Sequence, residues 1–168
     1  MKTIRGIELC LENKLQLPAL TLIYSSIDSL SWIAYEDKKV SKRFTKFIDN
    51  YMYKAKQLKP SSLDLYAARC SILHTLTPES DLSNNGKALQ IAYAWGNASV
   101  NDLEVSINLS EFSGMTCLHI NDLFESFKLG LLLFLELNST NEKCLSRMSK
   151  HFTTLSKDTI QTYNKIME

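Results

Sequence analysis

The sequence predicts a mainly α-helical fold, a bundle of five to six helices with one inserted antiparallel β-hairpin, all within a single domain spanning 1–168. Three observations predict it. Apolar residues recur at three- and four-residue spacing through most of the chain, as a helix with one buried face requires. The period changes to two only over roughly residues 88–110. A chain of 168 residues, 45% hydrophobic and 22% charged, is long enough for one proper core and too short for two.

The elements follow in order. Ile4, Ile7, Leu11 and Leu15 define a first amphipathic helix. Pro18 suits the first turn of a second, which should run to about Tyr35 with Leu20, Tyr24, Ile27, Leu30 and Ala34 on one face. Ser41 is placed to cap a third, turning Phe44, Phe47, Ile48, Tyr51 and Met52 inward and its lysines outward. "KPSS" breaks the chain, and Ser61 or Ser62 can cap a fourth helix that Pro78 should end within a few residues of His74. "PESDLSNNGK" has the composition of a loop. In "ALQIAYAWG" and "DLEVSINLS" apolar residues alternate with small or polar ones, which predicts the two strands of the hairpin. "NDLFESFKLGLLLFLEL" returns to helix, and a last helix should fill much of 141–166.

Composition narrows the function classes. "MKTIRGIELCLENK" carries charges where a secretory signal is apolar. "LGLLLFLEL" is too short to span a bilayer, so no membrane association is expected. Cys10, Cys70, Cys117 and Cys144 are far apart, as in a reduced, cytoplasmic protein. His74, His119 and His151 have no partner at metal-ligand spacing, so no metal site is expected. Gly-rich phosphate loops, GxSxG and HExxH are all missing. The neighbourhood of His119 is explained by helix capping, and His151 by a structural role.

The net charge is only +1, but it is unevenly spread. Between Lys38 and Lys59 stand eight bases (Lys38, Lys39, Lys42, Arg43, Lys46, Lys54, Lys56, Lys59) and one acid, Asp49. Such a block is either a solvated helix face or a surface that attracts a polyanion. It leads directly into the fourth helix.

On a helical wheel, Asp64, Ser71 and Thr75 make a narrow polar face, while Arg69 falls in the middle of the apolar arc between Leu76 and Leu73. A guanidinium keeps its proton when buried, so it needs an anion, carbonyls or water. Two explanations fit. One is an internal salt bridge with Asp28 or Glu79. The other is a cation held ready for a phosphate, with Asp28 orienting it. His74 lies about 140° around the wheel from Arg69 and roughly 7–8 Å along the axis. A site uniting them requires the helix to loosen near His74.

"RCSILH", an Arg-x4-His pair near a helix end, resembles the motif of the HEPN superfamily (higher eukaryotes and prokaryotes nucleotide-binding domains). The "YSSIDSLSW" helix, with its acid amid apolar residues, is similar to helices of that group. The resemblance covers Pro18 to Leu137, with the motif itself confined to 64–80. It implies a cofactor-free, metal-independent endoribonuclease, a homodimer whose motifs face each other and which cuts RNA through a cyclic phosphate. Arg69 and His74 would be catalytic, with Asp28 and Cys70 supporting. Lys38, Lys39, Lys42, Arg43 and Lys46 would bind the nucleic acid. Tyr24 and Tyr66 are placed either to stack on bases or to fill the core.

A polar residue commonly follows the arginine in active members; here it is Cys70, and the hairpin lies outside the minimal family pattern. Three functions therefore stand side by side. One is a HEPN-type toxin or defence ribonuclease with a cognate antitoxin or other protein partner. Another is a non-catalytic HEPN-like module that binds RNA or nucleotide, or dimerises. The third is a plain helical interaction domain with Arg69 bridged to Asp28.

Overall fold

Gln16–Ala34 (α2) is the helix around which the N-terminal half gathers. The structure is a computed structural model that describes residues 2–74, 80–110 and 114–150. It divides into two compact units, Met1–Leu133 and Phe134–Glu168. α1 (Lys2–Glu12) packs on α2, which in turn contacts α3 (Val40–Phe47) and α5 (Ser62–His74). α2 buries Leu20, Ile23, Tyr24, Ile27, Leu30 and Ile33. Its sequence is apolar nearly all round because three helices cover it.

α1 ends in a tight reversal. Leu15 N–H donates to Cys10 O (2.8 Å) and Lys14 N–H to Leu11 O (3.1 Å), the bonding pattern of a Schellman cap. The left-handed position of that cap, usually glycine, is here Lys14 at φ 57°.

α3 starts at Val40 with Lys39 at its N-cap and no side-chain cap, so the cap expected of Ser41 is not made. Phe44, Phe47, Ile48 and Met52 are buried as their spacing predicts. The helix then widens into a π-helical turn, Ile48–Met52, and closes with a short turn, Tyr53–Ala55 (α4). At α5, Ser61 is the cap: its Oγ accepts from Asp64 N (3.1 Å), and Asp64 Oδ2 accepts from Ser61 N (2.8 Å). Asp64 is buried, and its second oxygen accepts from Leu89 N (2.7 Å), tying α5 to the segment before the first strand. The end of α5 before Pro78 lies outside the described residues.

The segment read as a loop contains a short helix, α6 (Asp81–Asn84), started by a reciprocal Ser80–Ser83 capping box. The antiparallel hairpin is a correction. β1 (Ile91–Ala94) forms, but the second segment is a helix, α7 (Val100–Asn108). β1 pairs in parallel with β2 (Thr116–His119), Ile91 opposite Thr116 and Ala94 opposite His119. Parallel strands need a crossover, and α7, which lies against both strands, provides it.

The physical reason is that "VNDLEVSIN" satisfies both periods. Ser99 decides between them, because its Oγ accepts from Asn101 N (3.2 Å) and Asp102 N (3.4 Å) and so nucleates a helix. Val105 and Leu109, inward in a strand, are 58% and 85% exposed. β2 is buried at three successive residues, Thr116, Cys117 and Leu118, so it shows no alternation to read.

α8 (Ile120–Leu137) follows β2 directly. Lys56 Nζ bonds Asp122 (2.9 Å) and Glu125 on its first turns, and Ser126 Oγ donates to Lys56 O (2.9 Å). Gly130 lets the α8 backbone come against the π turn. In the second unit, residues 142–150 are helical; the remainder of the last predicted helix, with His151, lies outside the described residues. Among the described residues no helix is long and apolar enough to cross a membrane, and all four cysteines are free.

Candidate functional site

Arg69 occupies the face of α5 that packs on α2, and this geometry hands its guanidinium to Asp28. Nη2 donates to Asp28 Oδ2 in an ion pair whose side chains are 13% and 19% exposed. Nη1 reaches the other way, to His74 Nε2 at 3.0 Å. The three side chains form a chain across two helices, carboxylate to guanidinium to imidazole.

The Arg69–His74 contact does not need the helix to loosen. α5 remains helical through His74, and the length of the arginine side chain covers the angular gap instead. A guanidinium only donates, so the bonded imidazole nitrogen accepts, which places the ring proton on Nδ1. Burial, the largest single influence, pulls the Arg69 pKa down, but Asp28 and Cys70 together push it up by more, so the guanidinium is held all the more firmly charged. Asp28 Oδ1 and Arg69 Nε are buried with no hydrogen-bond partner among the described residues. Glu79, the other carboxylate the sequence offered, lies outside them.

The imidazole of His74 is exposed, at the edge of a cavity of about 800 Å³ lined by Lys39, Tyr66, Cys70, Asp81 and Lys87 among others. Tyr66 is half-buried, and its phenol pKa is pushed up by burial and then by the neighbouring Cys70. Tyr24 is fully buried and hydrogen-bonded to Tyr93, which makes it a core residue rather than a base-stacking platform.

The basic block is partly neutralised. Lys42 and Lys46 both point to Asp37 Oδ2, at 3.0 and 3.8 Å, and Lys46 also sits 5.6 Å from the Tyr35 ring centroid. Lys56 and Lys59 are spent on Asp122, Glu125 and Glu104. Lys38 and Lys39 are exposed and, among the described residues, in no ion pair, while Arg43 is half-buried with Nε unpartnered. Of the predicted nucleic-acid residues, Lys39 alone lines the cavity beside His74.

Lys87 and Asp81 were missed as cavity residues because their segment reads as a loop. The Ser80-x-x-Ser83 spacing was the signal that this loop folds back through a helical turn. Among the described residues no group of three or more His, Cys, Asp or Glu side chains is placed to hold a metal. No protein-family model, curated protein or solved structure matches the chain.

Proposed function

We propose that the chain is a metal-independent endoribonuclease of HEPN type, a toxin or defence effector that acts on RNA in the cytoplasm as a homodimer. The observation that carries this reading is the 3.0 Å contact between Arg69 Nη1 and His74 Nε2 beside an open, lysine-bordered cavity. It puts a fixed cation and a proton-exchanging group within reach of one phosphate.

In this reading Lys39 and Lys87 draw the RNA backbone in, and the scissile phosphate takes the Nη1 proton donor that His74 holds at rest. The freed Nε2 then takes the proton of the ribose 2′-hydroxyl. The 2′-oxygen bonds to phosphorus and the bond to the 5′-oxygen breaks. The departing 5′-oxygen takes up the proton that His74 now carries, which returns the imidazole to its neutral state and leaves a cyclic phosphate and a 5′-hydroxyl. Arg69 balances the charge that builds on the phosphoryl oxygens. Asp28 holds the guanidinium in place and is a positioning residue.

The test is RNA cleavage by purified protein in the presence of EDTA, followed by end-group analysis of the products. His74→Ala and Arg69→Ala should lose cleavage by at least about a hundredfold with His74→Ala still folded. Wild-type protein that leaves RNA intact sinks the proposal.

One observation favours a second reading, a non-catalytic HEPN-like RNA-binding module. The guanidinium already has one nitrogen on Asp28, another on His74 and its Nε buried. Such a site could hold a phosphate without cutting it. RNA retention that falls with salt and yields no product is its signature.

A further inference from the structure

A second cavity lies at the N-terminal end of α2. It measures about 590 Å³, within the range of small-molecule sites, and is lined by Lys14, Leu15, Gln16, Trp95, Asn97 and Asn121 among others. Gln16 opens α2 and Asp28 is twelve residues on, so the two sites stand about 18 Å apart along that helix. Trp95 follows the last residue of β1 and Asn121 follows the last residues of β2. The cavity therefore sits outside the carboxyl ends of the two parallel strands.

Its chemistry is specific. Trp95 is 53% exposed, a large indole left in water beside a concave wall. Gln16, Asn97 and Asn121 are amides, each able to donate and accept at once. Lys14 is the one charged side chain among the described residues that line it. The first turn of α2, which has no acid, adds the positive end of a long helix to that charge. The Asp122 carboxylate in the first turn of α8 is paired with Lys56. The walls are fixed to one another by His119: Asn121 N donates to its Nδ1 (3.1 Å), which leaves Nε2 to donate to Gly96 O (3.2 Å). Lys14 holds a left-handed backbone position that glycine fills at lower cost. A lysine there aligns with a role for its ammonium.

We propose that this cavity binds a nucleoside monophosphate, its base stacked on Trp95, the base edge read by the three amides and its phosphate beside Lys14. Base edges alternate donors and acceptors, which amides match in pairs, and indole faces stack any base. A carboxylate in the lining would repel the phosphate, and the described lining has none.

The test is calorimetric titration of adenosine 5′-monophosphate and uridine 5′-monophosphate into the full chain, with adenosine and ribose 5-phosphate as controls. A Trp32→Phe variant, in which Trp95 is the remaining indole, should show the same saturation as fluorescence quenching. Trp95→Ala should weaken monophosphate binding about tenfold, and Trp95→Phe should restore most of it. Lys14→Gln should remove the advantage of the monophosphate over adenosine. His74→Ala should bind as wild type does, which separates this site from the ribonuclease proposal in either outcome. The inference is overturned if neither monophosphate saturates the wild-type protein, if ribose 5-phosphate binds as well as the nucleotide, or if Trp95→Ala leaves affinity unchanged.

Discussion

Arg69 Nη1 stands 3.0 Å from His74 Nε2, although five positions of α5 place the two residues on different faces. The contact fixes the imidazole tautomer: neutral His74 carries its proton on Nδ1. Nitrogen-detected NMR of the histidine rings should find this tautomer dominant in the wild-type protein. In Arg69→Ala it should relax toward the mixture of a free imidazole. Equal tautomer populations in the wild type would mean that the two side chains do not bond.

The other end of the guanidinium rests on Asp28, with both side chains largely shielded from water. Asp28→Asn removes the charge and keeps the shape, leaving a cation with no counter-ion. Destabilisation of roughly 2–4 kcal/mol is expected, somewhat below a fully buried pair because both groups keep some water. Replacing the pair together, Asp28→Leu with Arg69→Met, should recover most of the loss, since hydrophobic substitutes often match a buried ion pair. Urea unfolding of the two variants checks the sign of each. A double variant no more stable than Asp28→Asn would point to hydrogen bonds beyond the pair.

Much of the helical architecture was legible because burial on one face imposes a period. Leu20, Tyr24, Ile27 and Leu30 on α2, and Phe44, Phe47, Ile48 and Met52 from α3 onward, are buried as their spacing demands. The sheet was not legible. Its second strand is buried at its first three residues, and the segment that alternates is a helix started by Ser99. Nor was the π turn, which has no composition of its own.

At the candidate site, Arg69 on an apolar arc could be read from the wheel, with Asp28 as one of two possible partners; its pairing with Asp28 came only from the structure. The meeting of Arg69 with His74 could not, because a wheel records Cα directions and ignores the reach of a long side chain. The pairing of Lys42 and Lys46 with Asp37 was hidden for a similar reason: a charge count along the chain stops just short of the acid that neutralises them.

Several phenols are held protonated by the fold. Burial, ahead of neighbouring groups, pushes Tyr35 up to about 12, and raises Tyr24, Tyr53, Tyr66 and Tyr93 as well. In the unfolded chain these groups titrate near 10. Between that pH and their folded values the unfolded state binds fewer protons, so stability is intact below about pH 10 and falls as pH rises further. Base titration should therefore show tyrosinate absorbance appearing together with loss of helical circular dichroism. Full ionisation of the phenols near pH 10 with the helices intact would contradict the burial of Tyr24 and Tyr93.

Gly130 gives the sharpest test of the packing between α8 and the π turn. A Cβ built there would lie 2.6 Å from Met52 Cγ, 2.7 Å from Met52 Cα and 2.9 Å from its backbone nitrogen. Helix propensity alone makes Gly→Ala favourable by about 1 kcal/mol, so the two effects oppose each other. The clash involves Met52 backbone as well as its Cγ, so trimming the methionine does not relieve it. Gly130→Ala should therefore destabilise by about 1–3 kcal/mol, and Met52→Ala should not rescue it. The cost arises because the π turn of Ile48–Met52 brings the Met52 backbone, and not only its side chain, against α8. If Gly130→Ala raises the denaturation midpoint instead, the two backbones do not make this approach.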